Sequence, residues 1–343
     1  MDCKKTFLIL FSSLLVVGCT FKEQTVRERA LSKAETASVL GKADELAIWN
    51  HPTDPQRSVV IGNDKSVTGA LYVYDLQGNL IDRSPYMNRP SGVSVRYGVK
   101  LSNGETVDVV GCAVISDSSI RIFKINPETR KLTDITTPEG ISTGFERDVY
   151  GFCFYKRPSD GQLFAFVSRK KKDNIHQLSL SDDGKGKIKG TFVRRFGMKD
   201  QKSYVEGMVA DDESGYFYCS DERYAILKYY ADPNMQKEPF IRAFGLHDKI
   251  RGDREGLALY KKKGGKGYLI VSSQGDSSFR IYQREGANKY VKSAALHGVT
   301  QTDGIAASSL SIPPDYPTGI FAAHNDSENN YVFFDWYEFS RLK

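Results

Sequence analysis

Residues 205–230 read VEGMVADDESGYFYCSDERYAILKYY, and this stretch contains the unit that predicts the fold. It begins with a short strand-like run led by an acid, Glu206-Gly207-Met208-Val209-Ala210. An apolar run follows at 216–220, and after a polar break residues 225–230 form a second run. Apolar and polar residues alternate there with the period of two that is typical of a half-buried strand. The unit is therefore predicted to be a set of short antiparallel strands.

The same unit recurs six times, with consecutive copies about 50 residues apart, which is the length of one four-stranded propeller blade. The alternating strands lie at 70–75, 119–124, 175–180, 225–230, 278–283 and 331–336. Evenly spaced strands with regular turns are typical of a closed all-β array. The alternative of two stacked β-sandwiches would not need a repeat of this length. The sequence predicts an all-β fold, a six-bladed β-propeller, over residues 43–343.

Acidic residues recur near the start of the first strand of each unit. These short strands lie at 44–49, 148–152, 206–210, 253–258 and 302–306, whereas the second unit breaks the pattern with Ser91-Gly92-Val93-Ser94. Because the first strand of each blade lines the central channel of a propeller, the carboxylates are predicted to form a ring at one depth. Glu222 lies at a break between strands and is predicted to lie close to the channel mouth.

Carboxylates that lie so close together repel each other and cannot all stay ionised without compensation. Calcium relieves this repulsion because it binds several oxygen ligands in a flexible geometry. The chain has only five histidines, and none lies in these first strands. The pattern therefore favours a calcium site with oxygen ligands, and the alternative is that the acids are solvated loop residues.

The N-terminus has the features of an export signal. Basic residues precede an apolar run at 6–17, which is shorter than the roughly 20 residues that span a bilayer. Val16-Val17-Gly18-Cys19 resembles a bacterial lipobox. We expect 1–18 to be a lipoprotein signal peptide, Cys19 to be acylated and bound to the lipid bilayer, and 19–42 to be a tether. The protein is then exported and anchored at the cell surface, in the outer membrane or periplasm; the alternative is an ordinary signal peptide that contains a cysteine.

The net charge and the cysteine content of the chain limit the classes of function that it can have. A formal net charge of +6 fits anionic substrates or a solvated surface, and no pattern indicates a nucleic-acid-binding module. After removal of Cys3 and acylation of Cys19, the remaining Cys112, Cys153 and Cys219 lie in apolar strands and are predicted to be buried free thiols. We expect the propeller to be a monomer.

From about Ala43 to the C-terminus, the chain resembles the β-propeller phytases, which are calcium-dependent alkaline phytases. The resemblance is carried by Asp148-Val149-Tyr150-Gly151-Phe152 and by the runs 205–213, 255–257, 267–278, 288–291, 302–305 and 316–319. It implies a six-bladed propeller with several calcium ions. It also implies a phosphomonoesterase of the 3-phytase type, which releases phosphate from inositol hexakisphosphate or related esters by attack of a metal-activated water.

Carried over position by position, the resemblance implies three sets of site residues. The implied calcium ligands are Asp44, Glu45, Tyr150, Glu206, Glu222, Asp253, Glu255 and Asp303. The implied catalytic residues are Glu206, Glu222, Tyr150 and Glu255. Lys65, Lys170 and Arg169 are implied to bind the substrate.

The chain departs from the family pattern mainly in its first two units. Asp64 replaces one lysine of a basic pair, and the phosphate-binding arginine of the family falls at Ile115. These losses keep open a second hypothesis, a lipid-anchored propeller that binds calcium and a ligand without turnover. A third is a different propeller hydrolase, such as a calcium lactonase, which the absence of histidine from the ring disfavours.

Overall fold

The computed structural model describes residues 30–170, 175–197 and 204–342. Within these residues, 25 strands form six antiparallel sheets. The predicted signal peptide and Cys19 lie outside the described residues, as does the first part of the predicted tether.

The sheets are called blades 1 to 6 in chain order, and each begins with its innermost strand. The strands are β1 (Ala34–Glu35); β2 (Ala43–Trp49), β3 (Val59–Asp64), β4 (Leu71–Tyr74) and β5 (Leu80–Arg83) in blade 1; β6 (Pro90–Lys100), β7 (Thr106–Val114), β8 (Ser119–Ile125), β9 (Leu132–Asp134) and β10 (Ile141–Ser142) in blade 2; β11 (Val149–Lys156), β12 (Leu163–Arg169), β13 (Ile175–Asp182) and β14 (Ile188–Phe196) in blade 3; β15 (Val205–Asp211), β16 (Tyr216–Asp221), β17 (Ile226–Tyr230) and β18 (Phe240–Phe244) in blade 4; β19 (Arg254–Lys261), β20 (Gly267–Ser273), β21 (Ser278–Gln283) and β22 (Tyr290–Ala294) in blade 5; and β23 (Ile305–Ser308), β24 (Ile320–Asn325) and β25 (Asn330–Asp335) in blade 6. Three short 3-10 helices, Pro55–Arg57, Lys263–Gly265 and Gln274–Asp276, lie in loops, and α1 (Trp336–Arg341) follows the last strand.

The inner strands β2, β6, β11, β15, β19 and β23 contact one another in this order, and β23 contacts β2. The six sheets therefore surround one central channel, which confirms the predicted six-bladed β-propeller. Blades 1 and 4 lie on opposite sides of this ring, and so do blades 2 and 5.

The N-terminal strand β1 closes the ring. It pairs with β25, so that Ala34 lies opposite Phe333 and Glu35 opposite Val332, and it supplies the outermost strand of blade 6. The segment predicted as a tether thus contains a strand of the propeller. Pairing of the first strand with the last joins the two ends of the fold.

The core lies between blades, because the middle strands are covered on both faces by neighbouring sheets. Phe166 of blade 3 stacks on Phe217 of blade 4 with ring centroids 4.2 Å apart. Tyr260 of blade 5 stacks on Trp336 of α1 at 3.7 Å. Cys112, Cys153 and Cys219 are buried in these layers without disulfide bonds, as the sequence predicts.

An ion pair also joins blades 4 and 5. The guanidinium group of Arg284 donates two hydrogen bonds of 2.7 Å to Asp211 and one of 2.5 Å to Glu213. Arg284 and Asp211 are both almost fully buried. Asp211, the last residue of β15, and Glu213 just after it therefore bind a neighbouring blade, a contact that the repeat in the sequence does not predict.

Candidate metal centre

A β-bulge lies near the start of the inner strand in five blades. The register between inner and second strand shifts between Ala43 and Leu46, and at the matching positions of blades 2 to 5. In blade 6 the matching residue, Asp303, directly precedes Gly304 and β23. A bulge twists a strand and redirects side chains. The residues at this position form what we call the channel ring: Asp44, Gly92, Tyr150, Glu206, Glu255 and Asp303.

Glycine follows the ring residue in blades 3 to 6 because the inner strands nearly touch there. A Cβ atom on Gly207 would lie 2.0 Å from the carbonyl oxygen of Glu255, and one on Gly256 would lie 2.5 Å from that of Asp303. The backbone of Gly304 donates a 2.9 Å hydrogen bond to the carbonyl of Asp44. These contacts exclude larger residues and bring the ring side chains close together.

The acids predicted as metal ligands meet at this end of the channel. Carboxylate oxygens of Glu206, Glu222 and Glu255 lie within 4.8 Å of one another. Gln274 donates a 2.5 Å hydrogen bond to Asp303. We call the six predicted ligands with buried carboxylates the acidic cluster: Asp44, Glu45, Glu206, Glu222, Glu255 and Asp303.

Asp253 and Tyr150 lie beside the acidic cluster. The Asp253 side chain is 32% exposed, and its carboxylate lies 3.6 Å from Nε of Arg223. Tyr150 is buried. Burial, together with the charge of Glu206, raises the pKa of its phenol well above the ordinary value. Asp253 is therefore at the rim, whereas Tyr150 belongs to the channel ring.

The acidic cluster is electrostatically unfavourable by itself. Burial and the charges of Glu206 and Asp253 raise the pKa of Glu222 to about 7. Burial and Glu206 raise the pKa of Asp303 to about 6. Burial and Asp44 raise the pKa of Glu45 well above its ordinary value, and burial and Glu206 do the same for Glu255. Desolvation and like charge thus act in the same direction at each group.

The residues fit a hard divalent cation. Three buried oxygens, Asp44 Oδ2, Glu45 Oε1 and Glu255 Oε2, have no hydrogen-bond partner within the described part of the chain. Buried polar atoms normally have partners, and a buried carboxylate needs a cation. All the metal-ligand atoms that these side chains offer are oxygens, which suits calcium better than zinc or copper.

The predicted substrate-binding cations lie in different surroundings. Lys65 Nζ is 3.0 Å from Asp44, also bonds to Glu206, and lies 4.6 Å from the centre of the Tyr150 ring. Lys170 Nζ lies 4.9 Å from the same ring. Arg169 instead packs over Phe145 at 5.7 Å. Lys65 and Lys170 therefore flank Tyr150, whereas Arg169 packs on the segment between β10 and β11.

Two departures from the family pattern have structural reasons. The Asp64 carboxylate accepts backbone hydrogen bonds from Gly41 at 2.9 Å and Lys42 at 2.8 Å, and so holds the loop that leads into β2. Ile115 packs against the apolar core between blades 2 and 3. Neither position carries a cation toward the channel.

A set of polar residues that the sequence analysis missed supports the bulges. They occupy the penultimate position of the second strand: Asn63, Ser168, Ser220, Ser272 and His324. Asn63 accepts a 2.6 Å hydrogen bond from the backbone of Glu45, and Ser220 donates one of 2.9 Å to the carbonyl of Glu255. A polar residue that interrupts an apolar strand just before its end is the signal that identifies them.

His324 makes the corresponding contact in blade 6. Its Nδ1 accepts a 3.1 Å hydrogen bond from the backbone of Asp303. Burial and the nearby charges of Lys42 and Lys65 lower the pKa of His324 to about 3, so the imidazole is neutral and can accept this bond. The bond holds the backbone of a ring residue in place.

Comparisons of this sequence with known sequences agree with the resemblance. A protein-family model described as Phytase matches residues 5–332. The 3-phytase of Bacillus subtilis (strain 168) is 36% identical over 296 residues, covering 84% of this chain and 75% of that protein. Among solved structures, the β-propeller domain of Myceliophteria thermophila Cps50 (Swd1) matches with a TM-score of 0.48 and 10% identity, covering 88% of this chain and 99% of that domain.

Replacing Ser168 tests the role of the second-strand polar residues. Ser168 Oγ accepts a 2.8 Å hydrogen bond from Gly151 and donates one to the Val205 carbonyl. Ser168→Ala leaves a buried donor unsatisfied, so we expect the free energy of unfolding to fall by about 1–3 kcal/mol in urea denaturation. Ser179→Ala, which removes a long 3.4 Å bond on the surface of the same blade, is the control and should change it by less than about 0.5 kcal/mol. Equal effects would contradict the assignment.

The raised pKa values predict how the stability of the EDTA-treated protein changes with pH. The pKa of Glu222 rises from 4.5 to about 7 on folding, and that of Asp303 from 3.8 to about 6. The folded state therefore retains protons that the unfolded state has lost. The contribution of these two carboxyl groups to the free energy of unfolding therefore decreases as the pH rises from their unfolded to their folded pKa values. The decrease is up to about 1.4 kcal/mol per unit of pKa shift.

Urea denaturation at a series of pH values measures this dependence. Glu222→Gln should flatten the decline between pH 4.5 and about 7, because its amide does not titrate. An equally steep decline in the two proteins would contradict the raised pKa of Glu222. The comparison cancels the opposite contribution of His324, whose pKa is lowered from 6.5 to about 3 and which therefore makes stability rise with pH in that range.

Proposed function

The chain belongs to the phytase family, and from this premise we propose that the acidic cluster is the active site of a calcium-dependent phosphomonoesterase that acts on inositol hexakisphosphate and related phosphate esters. The observation that carries the proposal is the set of buried carboxylate oxygens without partners among the described residues. The identity with a 3-phytase across most of both chains supports the substrate class.

The acidic cluster, with Tyr150 and the rim residue Asp253, would hold the calcium ions. When bound, calcium neutralises charge on phosphate oxygens and lowers the pKa of a coordinated water. Gln274 and the polar residues of the second strands orient the carboxylates. Because these carboxylates are held by a rigid ring of strands, little reorganisation is needed when the substrate binds.

Basic residues around the acidic cluster favour a ligand with several phosphates. Lys42, with its side chain 57% exposed, lies 3.8 Å from Asp303. Lys170 flanks Tyr150, and Arg223, 73% exposed, lies beside Asp253. An anionic group at the channel mouth therefore meets cations on three sides of the cluster.

We also propose that the protein is exported and anchored to a membrane through acylated Cys19. The lipobox-like residues that motivate this lie outside the described part of the chain. Among the described residues, no helix has the length and apolarity needed to cross a bilayer. A lipid on Cys19 would place a phosphate-releasing site at the cell surface.

Replacing Glu206 tests the proposed activity. Glu206→Gln removes a carboxylate from the centre of the acidic cluster. We expect phosphate release from phytate with calcium to fall at least about 100-fold, because changes to residues that only support the ligands of a metal site already cost up to about this factor. The assay measures released phosphate with calcium and with excess chelator. Glu105→Gln, which removes an exposed carboxylate in blade 2, should keep full activity. Chelator-insensitive release, or full activity in Glu206→Gln, would contradict the proposal.

Substitution of Cys19 tests the anchor. In a bacterial host fed a radioactive fatty acid, the unsubstituted protein should be labelled and sediment with membranes, whereas Cys19→Ala should lose both properties. Cys3→Ala removes the other N-terminal cysteine and should behave like the unsubstituted protein. Labelling of Cys19→Ala would exclude this site of acylation.

A further inference from the structure

Lys65 lies in the middle of the acidic cluster rather than at its edge. It follows β3 in blade 1, and its ammonium group contacts Asp44 of blade 1 and Glu206 of blade 4. Because blades 1 and 4 face each other across the channel, an atom that contacts both lies close to the channel axis. Only 9% of the Lys65 side chain is exposed.

The contacts of Lys65 form a complete environment for a cation. Two carboxylates from opposite blades bind the ammonium group, and the face of Tyr150 lies 4.6 Å from it. Although burial opposes the charge, Asp44 and Glu206 raise the pKa of Lys65 above its ordinary value. A buried charge paired in this way is held firmly, and removing one partner is costly.

These contacts use carboxylates that calcium would also need. Asp44 Oδ1 and Glu206 Oε1 each bind Lys65, both residues belong to the predicted ligand set, and the second oxygen of Asp44 has no partner among the described residues. A divalent ion on the second oxygens of these carboxylates would lie beside the ammonium group, and positive charges at such a short distance repel each other strongly in a buried site. Calcium binding therefore requires the ammonium group to move away.

We propose that Lys65 is a built-in competitor of calcium: its ammonium group neutralises Asp44 and Glu206 until calcium displaces it, and the released side chain then faces the substrate phosphate. This inference rests on the proposed function. Calcium and the substrate phosphate would then alter each other's affinity through Lys65. Such coupling between two ligands is typically about 1–3 kcal/mol, or roughly 5- to 150-fold in affinity. Lys65 thus makes calcium bind more weakly when no phosphate is present.

Titration calorimetry with calcium alone, without phosphate or phytate, tests this proposal. Lys65→Met should bind calcium at least about 5-fold more tightly than the unsubstituted protein, because no ammonium group has to be displaced. Lys262→Met is the matched control: Lys262 also lies over a tyrosine ring, that of Tyr268 at 4.6 Å, but it follows the end of β19 that is farther from the acidic cluster. Its calcium affinity should change less than 2-fold, roughly the scatter of an uncoupled site.

Lys65→Arg keeps a cation and should bind calcium about as weakly as the unsubstituted protein. Far-ultraviolet circular dichroism with and without calcium checks folding, and a Lys65→Met protein that folds only with calcium also supports the proposal. In a Lys65→Met protein that is folded without calcium, unchanged or weaker calcium affinity would overturn this proposal, as would equally tight binding by Lys65→Arg, and neither result would contradict the proposed function. Absence of calcium binding in the unsubstituted protein would overturn both this proposal and the proposed function.

Discussion

Repulsion between buried carboxylates at one end of the channel is the constraint on which this structure depends. The backbones of the inner strands touch at Gly207, Gly256 and Gly304. The acidic residues beside these glycines therefore cannot move apart. Burial and like charge both oppose ionisation there. Such a cluster persists only if protons or cations neutralise it, so the fold that creates the repulsion also favours metal binding.

The rest of the fold holds this unfavourable arrangement in place. β1 closes the ring by pairing with β25, and aromatic stacks such as Phe166 on Phe217 fill the layers between blades. The buried pair of Arg284 and Asp211 joins two blades that carry cluster residues. Since most of this packing lies away from the channel, it supplies stability that does not depend on how the carboxylates are protonated.

The sequence predicted the six blades and the acidic end of the channel because both follow from a repeat, and a repeat is visible along the chain. It did not predict the position of Lys65, which pairs with Glu206 across a separation of 141 residues. Spacing within a blade carries no information about which side chains meet across a closed ring. The strand at Ala34–Glu35 was missed for a related reason, because two residues show no periodicity and their partner β25 lies at the other end of the chain.

The channel ring is asymmetric, because blade 2 contributes no acid to it. Gly92 stands where other blades carry a side chain, and the strand register places Cys112 where other blades carry the polar residue that supports the bulge. The neighbouring blades place Lys65 and Lys170 on either side of this gap, both against Tyr150. The cluster is therefore an arc of carboxylates that opens toward two lysines. A phosphate over blade 2 meets the least carboxylate charge, because no acid of the channel ring lies there. Over blades 4 to 6 the exposed Arg223 and Lys42 lie beside Asp253 and Asp303, so their charges are already partly balanced by acids.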